Sequence, residues 1–255
     1  MGLVDEYRQQ FAWRDWPGLF AAAPSLAGQR VLDLGCGPGD LARELVGRGA
    51  HVVGVDANDE LLAAARRSVP DAEFAAVDLR DAAAVRALVP PGGAPFDGLW
   101  CTFTAAYFCD WPAALRRWSA VLRPGGWIVA AEVDDLFAHA PVSARTSQLL
   151  ERYVADALAA GRYDFRMGRK LAAGLRQAGF TVDREVELPD RELAFDGAAA
   201  PEVVAAWARR LERMTLLQRH CGDGYHAMHA DFLACLRRAD HRSLATVRAC
   251  IARRA

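Results

Sequence analysis

Apolar residues recur along this chain with two alternating periods, from about residue 28 to residue 133. Short apolar runs, such as Val31–Leu34 and Phe96–Cys101, alternate with stretches in which leucine, valine and alanine recur every three or four residues. The short runs are typical of parallel strands buried on both faces, and the longer stretches are typical of amphipathic helices. The sequence therefore predicts an α/β protein with βαβ units, a parallel sheet and right-handed crossovers.

The same periods place the individual elements. Helices are predicted at Leu41–Arg48, Asp59–Ser68, Ala82–Leu88, Trp111–Val121, Val142–Ala160 and Gly168–Ala178. Further strands are predicted at His51–Val55, from Phe74 onward, in the run that ends at Glu132, and at Phe180–Leu188. Strands and helices thus alternate, as the crossover connections of a parallel sheet require.

Residues 1–24 are predicted to form a helical N-terminal segment, in which Pro17 suits the first turn of a second helix. Its aromatic residues are Tyr7, Phe11, Trp13, Trp16 and Phe20. Two interpretations of these rings stay open from the sequence: they cover the edge of the sheet, or some of them close over a ligand.

The C-terminal part of the chain is strongly helical. Apolar residues near one face predict a helix over Pro201–His220, and a second helix over Tyr225–Arg238 follows a glycine-containing break. The stretch from Ser243 to Arg253 is compatible with a short helix or with a strand.

The most informative segment joins the first strand to the first helix of the sheet. Gly35, Gly37 and Gly39 lie between them, and glycine allows a positive φ and a close approach of the backbone to a ligand. The second strand ends in Asp56, where a carboxylate can accept hydrogen bonds from both hydroxyls of a ribose. Glycines together with a strand-terminal acid indicate a nucleotide-like ligand.

The details of this turn disfavour a dinucleotide. The third glycine comes one residue earlier than in the dinucleotide fingerprint, and Asp40 follows it at the start of the helix. A carboxylate there would repel a pyrophosphate where the helix dipole should attract one. A cationic ligand without phosphate is compatible with the same position.

The pattern Asp33-x-Gly35-x-Gly37-x-Gly39 resembles motif I of the class I S-adenosylmethionine (SAM) methyltransferases, and the resemblance extends over most of residues 25–188. It implies one Rossmann-like domain with a seven-stranded sheet, whose last strand is antiparallel, and helices on both faces. On this basis a strand is favoured at Thr246–Ala252, and residues of about 190–242 become a helical insertion or lid between strands six and seven. The implied cofactor is SAM, with S-adenosylhomocysteine (SAH) as its product.

The resemblance also assigns cofactor-binding residues. The glycine loop would wrap the methionine part of SAM, Asp56 would bind the ribose, and Asp78 after the third strand would face the adenine. The full set of expected cofactor residues is Asp33, Gly35, Cys36, Gly37, Gly39, Asp56, Ala57, Asp78, Leu79, Cys101 and Thr102.

Methyl transfer from a sulfonium needs alignment above all, and a base only where the nucleophile is poor. The segment after strand four reads Cys101-Thr102-Phe103-Thr104 and lacks the Asn/Asp-Pro-Pro-Tyr of relatives that methylate bases or amides. We therefore expect a small-molecule acceptor, a secondary metabolite in natural product biosynthesis, methylated at O, N or C. His139 and His226 are the candidate bases, and the expected substrate-binding residues are Tyr107, Asp135, Tyr163, Arg166, Tyr225 and His229.

Two other functions are compatible with these motifs. An enzyme of the same fold can hold SAM while catalysing an isomerisation or cyclisation, and a catalytically silent binding partner is a third possibility. The intact acids and glycines of the motif argue against the silent partner.

Composition narrows the setting. The 255 residues are 53% hydrophobic and 25% charged, with a formal net charge of −1, which argues against a nucleic-acid partner. No signal-peptide pattern, bilayer-length apolar run or paired-cysteine framework is present, so a cytoplasmic protein with free thiols, monomeric or homodimeric and without a membrane partner, is expected. The segment His220–His229 carries His and Cys at a spacing that matches no structural zinc pattern, so no metal is predicted.

Overall fold

A computed structural model of the protein describes residues 2–255. The helices are α1 (Leu3–Phe11), α2 (Trp16–Ala22), α3 (Asp40–Gly47), α4 (Asp59–Ser68), α5 (Ala82–Arg86), α6 (Trp111–Trp118), α7 (Ala144–Ala159), α8 (Leu171–Gln177), α9 (Pro201–Arg213), α10 (Thr215–Cys221) and α11 (Tyr225–Leu236). The strands are β1 (Arg30–Leu34), β2 (His51–Asp56), β3 (Glu73–Ala76), β4 (Phe96–Thr102), β5 (Leu122–Asp134), β6 (His139–Ala140), β7 (Phe180–Leu188), β8 (Arg242–Ser243) and β9 (Thr246–Arg254).

Seven of these strands form one sheet in the order β3-β2-β1-β4-β5-β9-β7. The strands β1 to β5 are parallel, whereas β9 runs antiparallel to both of its neighbours, β5 and β7. The predicted Rossmann-like sheet with an antiparallel last strand is therefore confirmed. The strand order reverses between β1 and β4, and open α/β sheets bind ligands at the carboxyl ends of the strands at such a switch point.

Each face of the sheet buries its own hydrophobic cluster. Along β1, Val31 packs into one cluster, while Leu32 and Leu34 pack into the other. This division follows from the two-residue period of a strand, which sends successive side chains to opposite faces. Because both faces are covered, β1 is apolar almost throughout, as the sequence pattern indicated.

The structure refines several predicted boundaries. The helix expected over Pro201–His220 divides at Met214, whose ψ of 67° is not helical, into α9 and α10. The helix expected to start at Val142 begins after Ser143, whose hydroxyl accepts a hydrogen bond from the Thr146 N–H. The alternatives at residues 243–253 resolve into a strand, β9. The two-residue strands β6 and β8 pair with each other and were not predicted, because two residues carry no readable period.

The segment between β7 and β9 carries α9, α10, α11 and β8. Ion pairs join it to the N-terminal segment: Glu6 of α1 pairs with Arg209 and Arg213 of α9. Arg14, between α1 and α2, pairs with Asp190 at 2.9 Å. The two segments that lie outside the sheet are thus fastened to each other by charged side chains.

Gly98 of β4 provides a test of the packing between β4 and β5. It lies opposite Trp127 in the register of the two strands, and a Cβ at this position would overlap the Trp127 indole. We predict that Gly98→Ala lowers the free energy of unfolding by about 1–3 kcal/mol, the usual cost of overpacking a core. Urea unfolding followed by circular dichroism measures this change.

The control is Gly47→Ala at the end of α3, where an added Cβ meets nothing within 4 Å. This variant should be as stable as the wild type or slightly more stable, since alanine favours helix. Equal stability of Gly98→Ala and the wild type would show that Trp127 does not cover Gly98.

Candidate active site

One large cavity, of about 350 Å³, opens at the carboxyl ends of β1, β2 and β4. It lies at the switch point of the sheet and is closed on the outer side by α1 and the start of α2. Its lining from the sheet and its loops includes Asp33, Gly35, Cys36, Gly37, Pro38, Asp40, Leu41, Asp56, Ala57, Asn58, Leu61, Val77, Asp78, Leu79, Arg80, Thr102, Phe103, Thr104, Tyr107 and Phe108. The N-terminal segment adds Tyr7, Gln10, Phe11, Arg14 and Trp16.

The glycine turn between β1 and α3 forms the floor of this cavity. Gly35 has a φ of 76°, and a Cβ there would overlap the Thr104 side chain, so both its backbone angle and its packing require glycine. The N–H groups of Gly35 and Cys36 donate to the Val55 carbonyl at 2.8 and 2.9 Å. These bonds hold the turn against the end of β2.

Asp56 fixes the same turn from the neighbouring strand. One carboxylate oxygen accepts a hydrogen bond from the Gly37 N–H at 3.0 Å, and the other accepts from the Asn58 N–H at 2.9 Å. The parallel pairing of β1 with β2 places this acid beside the glycine turn. The carboxylate also lines the cavity, where it can accept further hydrogen bonds.

Asp33 is the most unusual group in the lining. It is 1% exposed, and one carboxylate oxygen has no hydrogen-bond partner within residues 2–255. Burial, with a further contribution from the Asp56 charge, raises the pKa of Asp33 to about 8. A buried acid without a partner is costly, and a cationic group in the cavity would relieve that cost.

Asp78 and Leu79 follow β3 and form another side of the cavity. Asp78 accepts a hydrogen bond from the Arg80 N–H at 2.9 Å, while its side chain stays 58% exposed. Its second oxygen is therefore free to contact a ligand. Val77 and Leu79 supply apolar surface beside it.

The sequence left open which residues of the N-terminal segment line the cavity, and it did not identify Gln10 and Arg14. The open question about its aromatic rings has a divided answer: Tyr7, Phe11 and Trp16 line the cavity, whereas Trp13 and Phe20 pack into the core. The Trp16 indole N–H donates to the Phe11 carbonyl at 2.8 Å, and the two rings stack. The rings that line the cavity and the rings that pack into the core differ in their position relative to the glycine turn. The spacing of aromatic residues along the sequence does not reveal this difference.

Most of the expected cofactor residues line the cavity, and two do not. Gly39 lies at the start of α3, where a Cβ would crowd Ala65 at 3.0 Å, so its role is packing. Cys101 is fully buried beneath the cavity, and burial raises the pKa of its thiol.

Of the expected acceptor residues, only Tyr107 lines the cavity, and Tyr163 packs against it with ring centroids 4.8 Å apart. Asp135 and Arg166 lie elsewhere, in an ion pair with each other at 3.2 Å. Three further expected residues, Tyr225, His226 and His229, lie on α11, which packs against α7 and α9 and does not line the cavity.

His139 also lies outside the cavity. It is 3% exposed, and its Nδ1 lies 3.0 Å from Nε2 of His241, whose own Nδ1 lies 3.0 Å from the Gly197 carbonyl oxygen. The aromatic rings of Trp207 and Phe232 surround it. Burial, with a smaller contribution from His241, lowers the pKa of His139 to about 3. This geometry places the residue in a packed core and not beside an acceptor.

Comparison with known proteins bears on the cavity. Residues 31–126 match a family model described as a methyltransferase domain, and this match includes the glycine turn, Asp56 and Asp78. The part of the chain that forms the floor of the cavity is thus similar to a methyltransferase domain. The buried acid Asp33 fits a ligand that is cationic and lacks phosphate.

Among curated relatives, the ubiquinone biosynthesis O-methyltransferase of Xylella fastidiosa (strain M23) is 32% identical over 162 residues, which cover 62% of this chain and 63% of the relative. The match therefore spans less than two thirds of that relative's length. Among solved structures, a SAM-dependent methyltransferase from Mesorhizobium loti has a TM-score of 0.54 at 22% identity and covers 94% of this chain and 97% of its own. The [4+2]-cyclase SpnF has a TM-score of 0.60 at 20% identity, covering 93% and 79%. Both structures share the fold.

Two negative findings complete the description of the site. No group of three or more His, Cys, Asp or Glu side chains within residues 2–255 is arranged to hold a metal ion. No helix in the same residues is long and apolar enough to cross a membrane.

The buried His139 yields a prediction about pH. Its pKa is lowered on folding, so its contribution to stability is present above about pH 6.5 and is lost as the pH falls toward 3. We predict that His139→Phe reduces the slope of the unfolding free energy against pH in this range. The reduction is at most about 1.4 kcal/mol per pH unit, which corresponds to one proton bound on unfolding. Urea titrations at several pH values measure the slope.

His51→Gln is the control, because His51 is exposed at the start of β2, and this variant should keep the wild-type slope. The slope of the unfolding free energy against pH is the decisive quantity. The absolute stability changes as well, because phenylalanine cannot form the hydrogen bond between His139 and His241. An unchanged slope in His139→Phe would mean that His139 is accessible and charged in the folded protein.

Proposed function

We propose that this protein transfers a methyl group from SAM to a hydroxyl oxygen of a small-molecule acceptor. The single observation that carries the cofactor part is the cavity at the switch point, where the buried, partnerless carboxyl of Asp33 faces a space large enough for a ligand. The oxygen acceptor is supported by the curated relatives, which are named O-methyltransferases. The proposed acceptors include natural products that carry such a hydroxyl group.

The cavity residues suggest how the cofactor is held. In this proposal Asp33 faces the cationic amino group, and the backbone of Gly35, Cys36 and Gly37 approaches the methionine part. The charged carboxylate of Asp56 accepts hydrogen bonds from the ribose hydroxyls, with Ala57 beside it.

Asp78 and Leu79 would contact the adenine, and Thr102 would lie beneath the sulfur at the end of β4. Gly39 and Cys101 would support the site from behind, by packing. The resemblance to the class I SAM methyltransferases suggests these roles, and the presence of Asp33, Asp56 and Asp78 in the cavity lining supports them.

SAM supplies an activated methyl group on a sulfonium, so the leaving group is a neutral thioether. The new oxygen–carbon bond forms as the carbon–sulfur bond breaks, the electron pair remains on sulfur, and the hydroxyl proton passes to solvent. The task of the chain is then alignment and exclusion of water. Tyr7, Phe11 and Trp16 would perform the second task by closing the cavity from above.

No histidine lines the cavity within residues 2–255. His139 and His226, which the sequence suggested as bases, are placed in the core and on the outer helix α11 respectively. We therefore propose that positioning, and not a histidine base, provides the rate.

The test combines turnover with cofactor affinity. We predict SAH release from SAM in the presence of a panel of phenolic acceptors, measured by mass spectrometry, and SAM binding measured by calorimetry. Asp56→Ala should weaken SAM binding by about 10- to 150-fold, because it removes a charged acceptor of hydrogen bonds worth about 1.5–3 kcal/mol. Asp59→Ala, which changes an exposed acid of α4 outside the cavity, is the matched control and should bind SAM normally.

Unchanged SAM affinity in a folded Asp56→Ala variant would refute the cofactor assignment. Tight SAM binding without SAH release from any acceptor would instead favour the alternative, an isomerase or cyclase that retains SAM. SpnF, which shares this fold, is a [4+2]-cyclase.

A further inference from the structure

Three tyrosines from three different elements meet at one side of the cavity. Tyr7 belongs to α1, Tyr107 to the turn after β4, and Tyr163 to the turn after α7. Tyr7 and Tyr107 line the same cavity and are 40% and 47% exposed, and Tyr163 packs edge-on against Tyr107. We call these three residues the tyrosine cluster.

A backbone clamp sets the positions of two of these rings. The Ala106 N–H donates to Glu132 Oε2 at 3.2 Å, and the Ala106 carbonyl accepts from the Asp164 N–H at 2.8 Å. Tyr107 follows Ala106 and Tyr163 precedes Asp164, so the backbone of Ala106 ties together the two turns that carry these rings. Glu132 and Asp164, which complete the clamp, are buried.

The phenol hydroxyls of the tyrosine cluster have no hydrogen-bond partner among residues 2–255. Burial raises the pKa of Tyr163 well above its ordinary value, and the nearby Glu132 charge adds to this shift. Tyrosine hydroxyls keep their protons at neutral pH. Each can donate one hydrogen bond to a ligand and accept others.

The cations near the cluster are already compensated. Arg14 pairs with Asp190 at 2.9 Å and with Glu192 at 3.1 Å, and Arg210 pairs with Glu192 as well. Asp190 is 3% exposed and Glu192 is fully buried, so these pairs are shielded from water. Arg80, the other cation of the cavity lining, donates to the Tyr107 carbonyl at 3.4 Å and pairs with Asp78 at 3.7 Å.

Glu132 adds a carboxyl group that forms no ion pair within residues 2–255. It is fully buried, and its oxygens accept only backbone N–H groups, those of Ala106 and Val133, within the described chain. Burial raises the pKa of Glu132 to about 7. Glu132 lies behind the cavity wall, and the cations of the wall, Arg14 and Arg80, are paired with acids. An anionic ligand at the cluster would therefore meet no unpaired cation of the described residues.

We propose that the tyrosine cluster is the acceptor subsite and that it selects an uncharged aromatic acceptor with hydrogen-bonding groups over an anionic one. This inference rests on the proposed methyl transfer. Tyrosine rings provide edge and face contacts for an aromatic acceptor, and the hydroxyls provide hydrogen bonds. An acceptor carboxylate would lose its water without gaining a counter-ion.

The test measures binding without turnover. Protocatechualdehyde and protocatechuate are nearly the same size and differ in charge, and calorimetry gives the affinity of each for the SAH complex of the protein. The proposal predicts that the aldehyde binds at least tenfold more tightly. Comparable affinities, tighter binding of protocatechuate, or binding of neither would overturn it. Because no methyl group moves, the outcome is independent of whether the proposed reaction occurs.

Substitutions locate the subsite. Tyr107→Phe and Tyr163→Phe should each weaken aldehyde binding by about two- to tenfold, the effect of one lost hydrogen bond, with unchanged SAH affinity. Tyr153→Phe is the matched control, since Tyr153 belongs to the core outside the cavity. Loss of SAH affinity together with aldehyde affinity would assign these tyrosines to the cofactor and overturn the proposal.

Asp190→Asn tests the charge argument. Its Oδ1 accepts hydrogen bonds from the Glu192 and Leu193 N–H groups, which an asparagine oxygen retains, while the charge opposite Arg14 is lost. Arg14 then keeps only Glu192 as an anionic partner and can attract the protocatechuate carboxylate. The ratio of aldehyde affinity to protocatechuate affinity should therefore fall at least threefold. Asp183→Asn, which breaks an ion pair with Arg253 at the edge of the sheet, should leave the preference unchanged. An unaltered affinity ratio in a folded Asp190→Asn variant would overturn the charge argument. If Asp190→Asn does not fold, the Tyr107→Phe and Tyr163→Phe variants still test the subsite.

Discussion

The hydrogen bond from the Gly37 N–H to the Asp56 carboxylate joins the two features on which the cavity depends. One is the glycine turn at the end of β1, and the other is the acid at the end of β2. Parallel pairing of these strands brings the two carboxyl ends to the same edge of the sheet. Every cofactor contact that we propose then follows from how closely the turn backbone can approach a ligand at this edge.

The ion pairs outside the sheet have a different role. Arg14 lies in the cavity wall over the Phe103 ring, and its charge is balanced by Asp190 in the loop after β7. One side chain therefore links the N-terminal segment, the end of β4 and the segment between β7 and β9. Buried pairs of this kind add little net stability, but removing one partner is costly, so the arrangement specifies how these segments meet.

The sequence was sufficient for the sheet and for most of the cofactor side of the cavity, because these parts depend on local patterns. The apolar run Val31–Leu34, the glycines after it and Asp56 all lie where their spacing predicts. The acceptor side depends on contacts between residues far apart in the chain, such as Tyr107 with Tyr163. His139 illustrates this difference. It begins β6, a short distance after β5, yet the aromatic rings of Trp207 in α9 and Phe232 in α11 pack against it, and no spacing rule reveals that burial.

The most direct test of the account is an experimental structure of the protein with SAH. We predict that the homocysteine amino group lies within hydrogen-bond distance of Asp33, that the ribose hydroxyls contact Asp56, and that the sulfur faces the tyrosine cluster. A structure in which SAH occupies the cavity with its sulfur directed away from Tyr7, Tyr107 and Tyr163, or in which Asp33 contacts no part of the cofactor, would contradict it.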